Sequence, residues 1–312
     1  MSKGSELELI GLDGGNPLGF LAALGTFRAI SLAWSERAIR MHWRPIDGLW
    51  RPVLQGIGAD ETEAFLDGLN AALKAMRDQP ALTFARDLTV DTKTFRSQAE
   101  IARNASHSGD RRNADFIAAF GCEATPRTER GQEGKIQDTA LRTMSGTGDQ
   151  HFLGFMCKLI EETGPDHLAT ALFHEWRYTD PGPSLRWDPN DDRRYALRWG
   201  NPGNSSKYPI ATVRGANRLA IEALPLMPTA PVGRRLETTG FTQRRGEGAL
   251  WTWPIWTPAL PLDAVRSLLS SADLQVPEPD RRRLATRGVA EIFRCQRLTV
   301  GKYRNFSTAH PA

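Results

Sequence analysis

The chain has 312 residues, of which 40% are hydrophobic, 8% aromatic and 24% charged, a balance that excludes a disordered or fibrous chain and allows one large domain or two ordinary ones. No apolar run nears the roughly 18 residues of a membrane span. MSKGSELELIGL lacks the apolar stretch of a secretory signal, and Cys122, Cys157 and Cys295 have neither disulfide nor zinc spacing, so a reduced, cytoplasmic protein is expected. The net charge of +4 conceals a division: residues 1–176 carry 19 Lys and Arg against 24 Asp and Glu, whereas residues 177–312 carry 21 against 12. Of the basic residues 33 are Arg and 7 are Lys, and the planar guanidinium fork suits phosphates and base edges better than a point charge does.

In chain order, ELELIGL at 6–12 alternates as a strand does, and GLDGGN follows as a loop. Asn16 is a good N-cap and Pro17 a good first helical residue, so a helix is predicted from Pro17 to about Trp34. Its Gly19, Ala22, Ala23 and Gly25 allow close approach of a neighbour. AIRMHWR at 38–44 reads as a half-exposed strand, and a second helix is predicted from Asp60, with Phe65, Leu69 and Leu73 on its buried face. The opening is thus β-α-β-α. Residues 86–115 predict a helix with an exposed loop, and the Gly- and Thr-rich stretch 121–149 predicts a long surface loop. Helices are predicted over 150–163 and 166–176. Between Asp180 and Pro261, where Pro and Gly recur, short strands joined by turns are expected around one helix near 215–224. A short helix follows Pro261, and Asp280 caps a final helix over RRRLATRGVAEIFRCQRL. The fold class expected is α+β, with an acidic N-terminal domain at 1–176 and a basic, Arg-rich region at 177–312.

Catalytic signatures are sparse. Neither GQEGK nor GLDGGNPLG has the glycine spacing of a nucleotide loop. TMSGTGD at 143–149 precedes a helix, and a plain capping loop is the simpler reading than a phosphate seat. The six histidines are scattered, and no cofactor is expected. WDPNDDR gathers Asp188, Asp191 and Asp192, which is the pattern a divalent-cation nuclease would use, but the surrounding Arg186, Arg193, Arg194 and Arg198 point to neutralisation instead. Basic constellations are denser. TVRGANRLA places Arg214, Asn217 and Arg218 at a helix start, and VGRRLETTGFTQRRG reads as a hairpin with Arg234, Arg235, Arg244 and Arg245 near its ends. The tail from Arg281 adds further arginines together with Lys302 and Arg304, and Tyr303 and Phe306 are candidates for base stacking.

Four segments carry a family resemblance: LDGGNPLGFLAALGTFRAI (12–30), LRWDPNDDRRYALRW (185–199), TVRGANRLAIEALPLMPTAP (212–231) and RRLETTGFTQ (234–243). Together they resemble CRISPR-associated proteins of the type I-U (I-G) systems, nearest to the large-subunit-like members. The resemblance implies a non-enzymatic subunit of a crRNA-guided surveillance complex. Such a subunit contacts double-stranded target DNA and its flanking motif, lies close to the crRNA and other effector subunits, and leaves cutting to a recruited helicase-nuclease. The chain is short for such a subunit, which leaves room for an accessory role. The resemblance carries over no recognition residues, so the expected contacts are those chosen on chemistry: Arg214, Asn217, Arg218, Arg234, Arg235, Arg244, Arg245, Lys302 and Arg304.

Overall fold

A computed structural model describes residues 6–58, 62–75, 77–144, 146, 150–191, 211–300 and 303–312. Asp60, Thr147, Asp149, Asp192, Arg193, Arg194, Arg198 and Lys302 lie outside the described residues, as do the side chains of Asp191 and Tyr303. The chain is α+β. β1 (Glu6–Glu8), β2 (Arg40–Ile46) and β3 (Leu49–Gln55) form a three-stranded antiparallel sheet in the order β1-β3-β2. The opening is therefore β-α-β-β, because Asp47-Gly48 closes a tight hairpin between β2 and β3 with both residues at positive φ (51° and 76°). Pro52 hides β3 from a reading by alternation.

α1 (Pro17–Ala33) follows the expected start: the Asn16 side chain accepts a 3.0 Å bond from the Gly19 amide. Every residue from Pro17 to Ile30 is buried, so α1 is a central helix rather than an amphipathic cover. α2 (Thr62–Ala75), α3 (Pro80–Thr83), α4 (Thr92–Ser106) and α5 (Arg112–Phe120) come next, then β4 (Gly121–Pro126) pairs with β5 (Ile136–Asp138). The stretch 121–149 is thus a surface loop only over 127–135; strands flank that loop and, among the described residues, the part after it enters the core. Ile136, Leu141 and Met144 are fully buried, and Trp187 Nε1 donates to the Leu141 carbonyl at 2.9 Å. α6 (Phe152–Glu162) and α7 (Pro165–Phe173) stand close to their predicted spans.

β6 (Asp180–Pro181) pairs with β7 (Ala211–Thr212), which leads into α8 (Arg214–Ile221). A Cβ on Gly25 would lie 1.8 Å from the Leu219 carbonyl oxygen, and one on Gly215 would lie 2.0 Å from that of His167. Only glycine permits the backbone contacts of α1 with α8 and of α8 with α7. β8 (Thr229–Val232) and β9 (Arg235–Thr238) form one hairpin; β10 (Phe241–Arg244) and β11 (Gly248–Trp256) form another.

After α9 (Leu262–Leu269) and α10 (Arg281–Ala285), the long final helix expected from Asp280 is only a short one. The rest is β12 (Val289–Val300), with β13 (Tyr303–Phe306) and β14 (His310–Pro311) paired to it. Gly288 at φ 84° breaks the helix, and the β-branched and aromatic residues that follow pair with β11 along its length. Phe20 of α1 is wedged between the sheets, 5.7 Å from the Trp43 ring of β2 and 5.5 Å from the Trp253 ring of β11. Trp253 Nε1 donates to Gly14 O at 2.8 Å and Trp256 Nε1 to Met41 O at 2.9 Å. The acidic and basic halves therefore share one core, and the charge boundary near residue 176 is not a packing boundary.

Candidate nucleic-acid interface

The segment Gln137–Arg142 joins basic residues that are far apart in sequence. Gln137 pins the β8–β9 hairpin: its Nε2 donates to Arg234 O and its Oε1 accepts from Leu236 N, both at 2.9 Å. The Ala140 amide donates to Thr238 Oγ1 at 2.8 Å, which fixes the other end of the same hairpin. Arg234 and Arg235 stand exposed at its tip. On the other side, Arg297 of β12 donates to Ala140 O at 2.9 Å.

Asp138 is the electrostatic centre of this hub. Arg127 reaches its Oδ2 at 2.9 Å and donates to Ile136 O at 2.9 Å. Arg142 bonds both Asp138 and Asp87, and reaches Thr89 Oγ1 at 2.7 Å. Burial opposes the Arg142 charge, but the two carboxylates outweigh it and raise its pKa. For Arg297 and Arg304 the same carboxylates offset burial only in part. Arg297 pairs opposite Phe306 and Arg304 opposite Thr299, so both lie on the sheet face that bears Phe306 and Trp251. Burial, with Arg304 adding repulsion, pushes Arg297 down to about 10, and its Nε is buried without a partner. Burial also lowers Arg304, whose guanidinium makes no hydrogen bond or ion pair among the described residues. Four guanidinia thus gather around two carboxylates, Asp138 and Asp87. An under-neutralised, partly buried cation cluster favours an anion, and a phosphate matches the guanidinium fork.

The sequence-predicted residues divide between this surface and the interior. Arg234, Arg235 and Arg245 are exposed, Arg245 at the β10–β11 turn. Arg244 is half-buried and donates to Val276 O at 3.1 Å. Two of the three residues chosen at the α8 start need correction. Asn217 is fully buried, where its Oδ1 accepts from Leu185 N at 2.9 Å and its Nδ2 donates to Thr212 Oγ1 at 3.0 Å. Arg218 is buried against Glu222 at 2.8 Å. Arg214 is mostly covered and bonds the carbonyls of Pro181 and Glu162. This helix start is a structural joint, because the close packing that Gly25 and Gly215 permit leaves no groove-facing side. In the tail, Arg281 pairs with Glu291 at 2.7 Å, and Arg287 with Asp273 at 2.7 Å. Phe306 is buried against Trp251 at 5.6 Å and presents no free face for a base.

Arg297 and Arg304 stood out in sequence only as members of the basic tail, and Arg127, Arg142 and the organising Asp138 were not singled out at all. The spacing of Ile136, Leu141 and Met144 was the one available sign that this stretch enters the core. Asp188 is buried and accepts bonds from Asn190 N (3.0 Å), Tyr178 Oη (2.9 Å) and Asn16 Nδ2 (3.2 Å), so its oxygens are occupied in joining the 12–16 loop to the 187–191 turn. Burial nevertheless raises its pKa. Among the described residues no three His, Cys, Asp or Glu side chains group as a metal site, and no helix is long and apolar enough to cross a membrane. No protein-family model and no curated protein sequence matches this chain.

Proposed function

We propose that this chain is a non-enzymatic, nucleic-acid-binding subunit of a type I crRNA-guided DNA surveillance complex. Arg297 and Arg304 seat a backbone phosphate of the target duplex, and the exposed Arg234 and Arg235 extend the contact along it. The observation that carries the reading is the under-neutralised Asp138 cluster, held beside the hairpin by Gln137. The resemblance of the 12–30, 185–199, 212–231 and 234–243 segments supports the assignment to such a complex, with the crRNA and other effector subunits as neighbours and a separate helicase-nuclease recruited for cutting.

The test is fluorescence anisotropy with a labelled 30-base-pair duplex across a salt series. Arg234→Glu together with Arg235→Glu weakens binding, and the slope of log affinity against log salt falls by about one for each phosphate the variant no longer neutralises. Affinity and slope unchanged by both this pair and an Arg297→Gln, Arg304→Gln pair would overturn the proposal.

A further inference from the structure

A cleft of about 490 Å³ opens on the opposite kind of chemistry, bounded by the 10–16 loop, the β2–β3 turn and the 175–178 segment. Its lip is apolar, with Ile10 at 47% and Leu49 at 39% exposure, both high for large aliphatic side chains. Three carboxylates, Asp13, Asp47 and Glu175, line it against a single guanidinium, Arg51. Asp47 and Glu175 have no ion-pair partner among the described residues. Asp13 accepts one bond, from the Gly15 amide at 2.9 Å, and burial raises its pKa despite the pull of Arg51. Arg51 itself is committed to the Leu12 carbonyl at 2.9 Å.

The aromatic wall is rigid. Trp176 and Tyr178 meet almost at right angles, with ring centroids 6.4 Å apart and planes at 85°. Trp176 Nε1 donates to Ala171 O at 3.0 Å; Tyr178 Oη donates to Asp188 and accepts from Asn190 Nδ2 at 2.7 Å. Tyr178 sits at φ 52°, a strained backbone for an aromatic residue. The buried Asp188 network therefore holds the ring in place at a conformational cost.

We infer that this cleft receives an arginine or lysine side chain presented by a partner protein. Two aromatic walls at a right angle attract a cation, the excess of carboxylates complements its charge, and the aliphatic lip matches the methylene stem of a long basic side chain. A phosphate would meet three carboxylates there, so the surface is separate from the proposed nucleic-acid contacts and does not depend on them.

The probe is N-acetyl-arginine amide, followed by NMR at the Trp176 indole N–H, with that resonance identified by its loss in Trp176→Phe. Saturable shifts are expected with the arginine and lysine amides. The citrulline amide, neutral and of similar shape, binds at least about tenfold more weakly. Asp47→Asn with Glu175→Gln, both exposed and outside the core, reduces arginine affinity by about the same factor. Equal binding of citrulline, no saturation by arginine amide up to its solubility, or competition by a mononucleotide at equal concentration would each overturn the inference.

Discussion

Two pairs of buried arginines teach different lessons about the same side chain. Arg28 of α1 and Arg218 of α8 converge on Glu222, at 3.3 and 2.8 Å, and Arg28 also packs over the Phe116 ring at 5.6 Å. Each has a carboxylate, and together they clamp two helices whose backbones touch. Arg297 lies on the interior strand β12 of the five-stranded sheet and Arg304 on its edge strand β13, where the carboxylates already serve Arg127 and Arg142. Burial lowers the pKa of Arg28 as it does those of Arg297 and Arg304, so burial alone does not separate the pairs. A direct ion pair does: Arg28 and Arg218 touch Glu222, whereas Arg297 and Arg304 touch no carboxylate among the described residues and feel Asp138 only from a distance. A guanidinium in direct contact with its own carboxylate is structural; one beside carboxylates already engaged elsewhere holds affinity for an anion from outside.

The comparison breaks first at Arg218→Ala. Leaving Glu222 partly unpaired in the core is expected to cost about 3–5 kcal/mol in urea unfolding, while duplex binding per folded molecule stays unchanged. Weakened binding at undiminished stability would place Arg218 on the wrong side of the division. The second effect is on affinity. Arg297→Gln with Arg304→Gln should reduce the salt slope by about one, for the single phosphate the two seat, and leave the melting temperature equal or higher. The same pair should abolish any rise in melting temperature that inorganic phosphate gives the unaltered chain, because an anion that binds only the folded state stabilises it. A melting temperature well below the parent's would make those arginines structural after all.

The acidic cleft sharpens the contrast through pH. The folded chain holds the Asp13 carboxyl above its ordinary range by burial, so the unfolded chain ionises first. Stability then falls as pH rises from the unfolded value, near 4, through the higher folded one. Asp13→Asn keeps the acceptor for Gly15 and removes that destabilisation: it should melt higher than the parent at pH 7 and alike at pH 3. A variant less stable at pH 7 would refute the burial argument. The smallest effect belongs to Arg245→Ala, exposed at a turn, which should change stability by no more than about 0.5 kcal/mol and lower duplex affinity only slightly.

The local signals were legible wherever chemistry between neighbours decided the outcome. Asn16-Pro17 started α1, the apolar stripes marked α2, α6 and α7, and the α+β class followed from their alternation with strands. The β8–β9 tip was legible because a turn needs Gly233 and leaves Arg234 and Arg235 in solvent. Hidden were the features that depend on distant pairing. VAEIFRCQRL carries enough Arg, Ala and Leu for a helix, and only pairing with the Trp-rich β11 makes it a strand. The stretch 121–149 looks like a loop because its few apolar residues enter a core supplied by other segments.

By itself the sequence determined the charge division, the excess of arginine over lysine, and the residues able to bind a phosphate. It also determined the glycines that let α1, α7 and α8 touch. Tertiary structure decided which arginines are free to act, because a guanidinium's fate depends on whether folding delivers a carboxylate to it. Folding delivers Glu222 to Arg218, though Arg218 stands in the most helix-start-like basic motif. Among the described residues it brings no carboxylate into contact with Arg304, which had looked like one more charge in a basic tail.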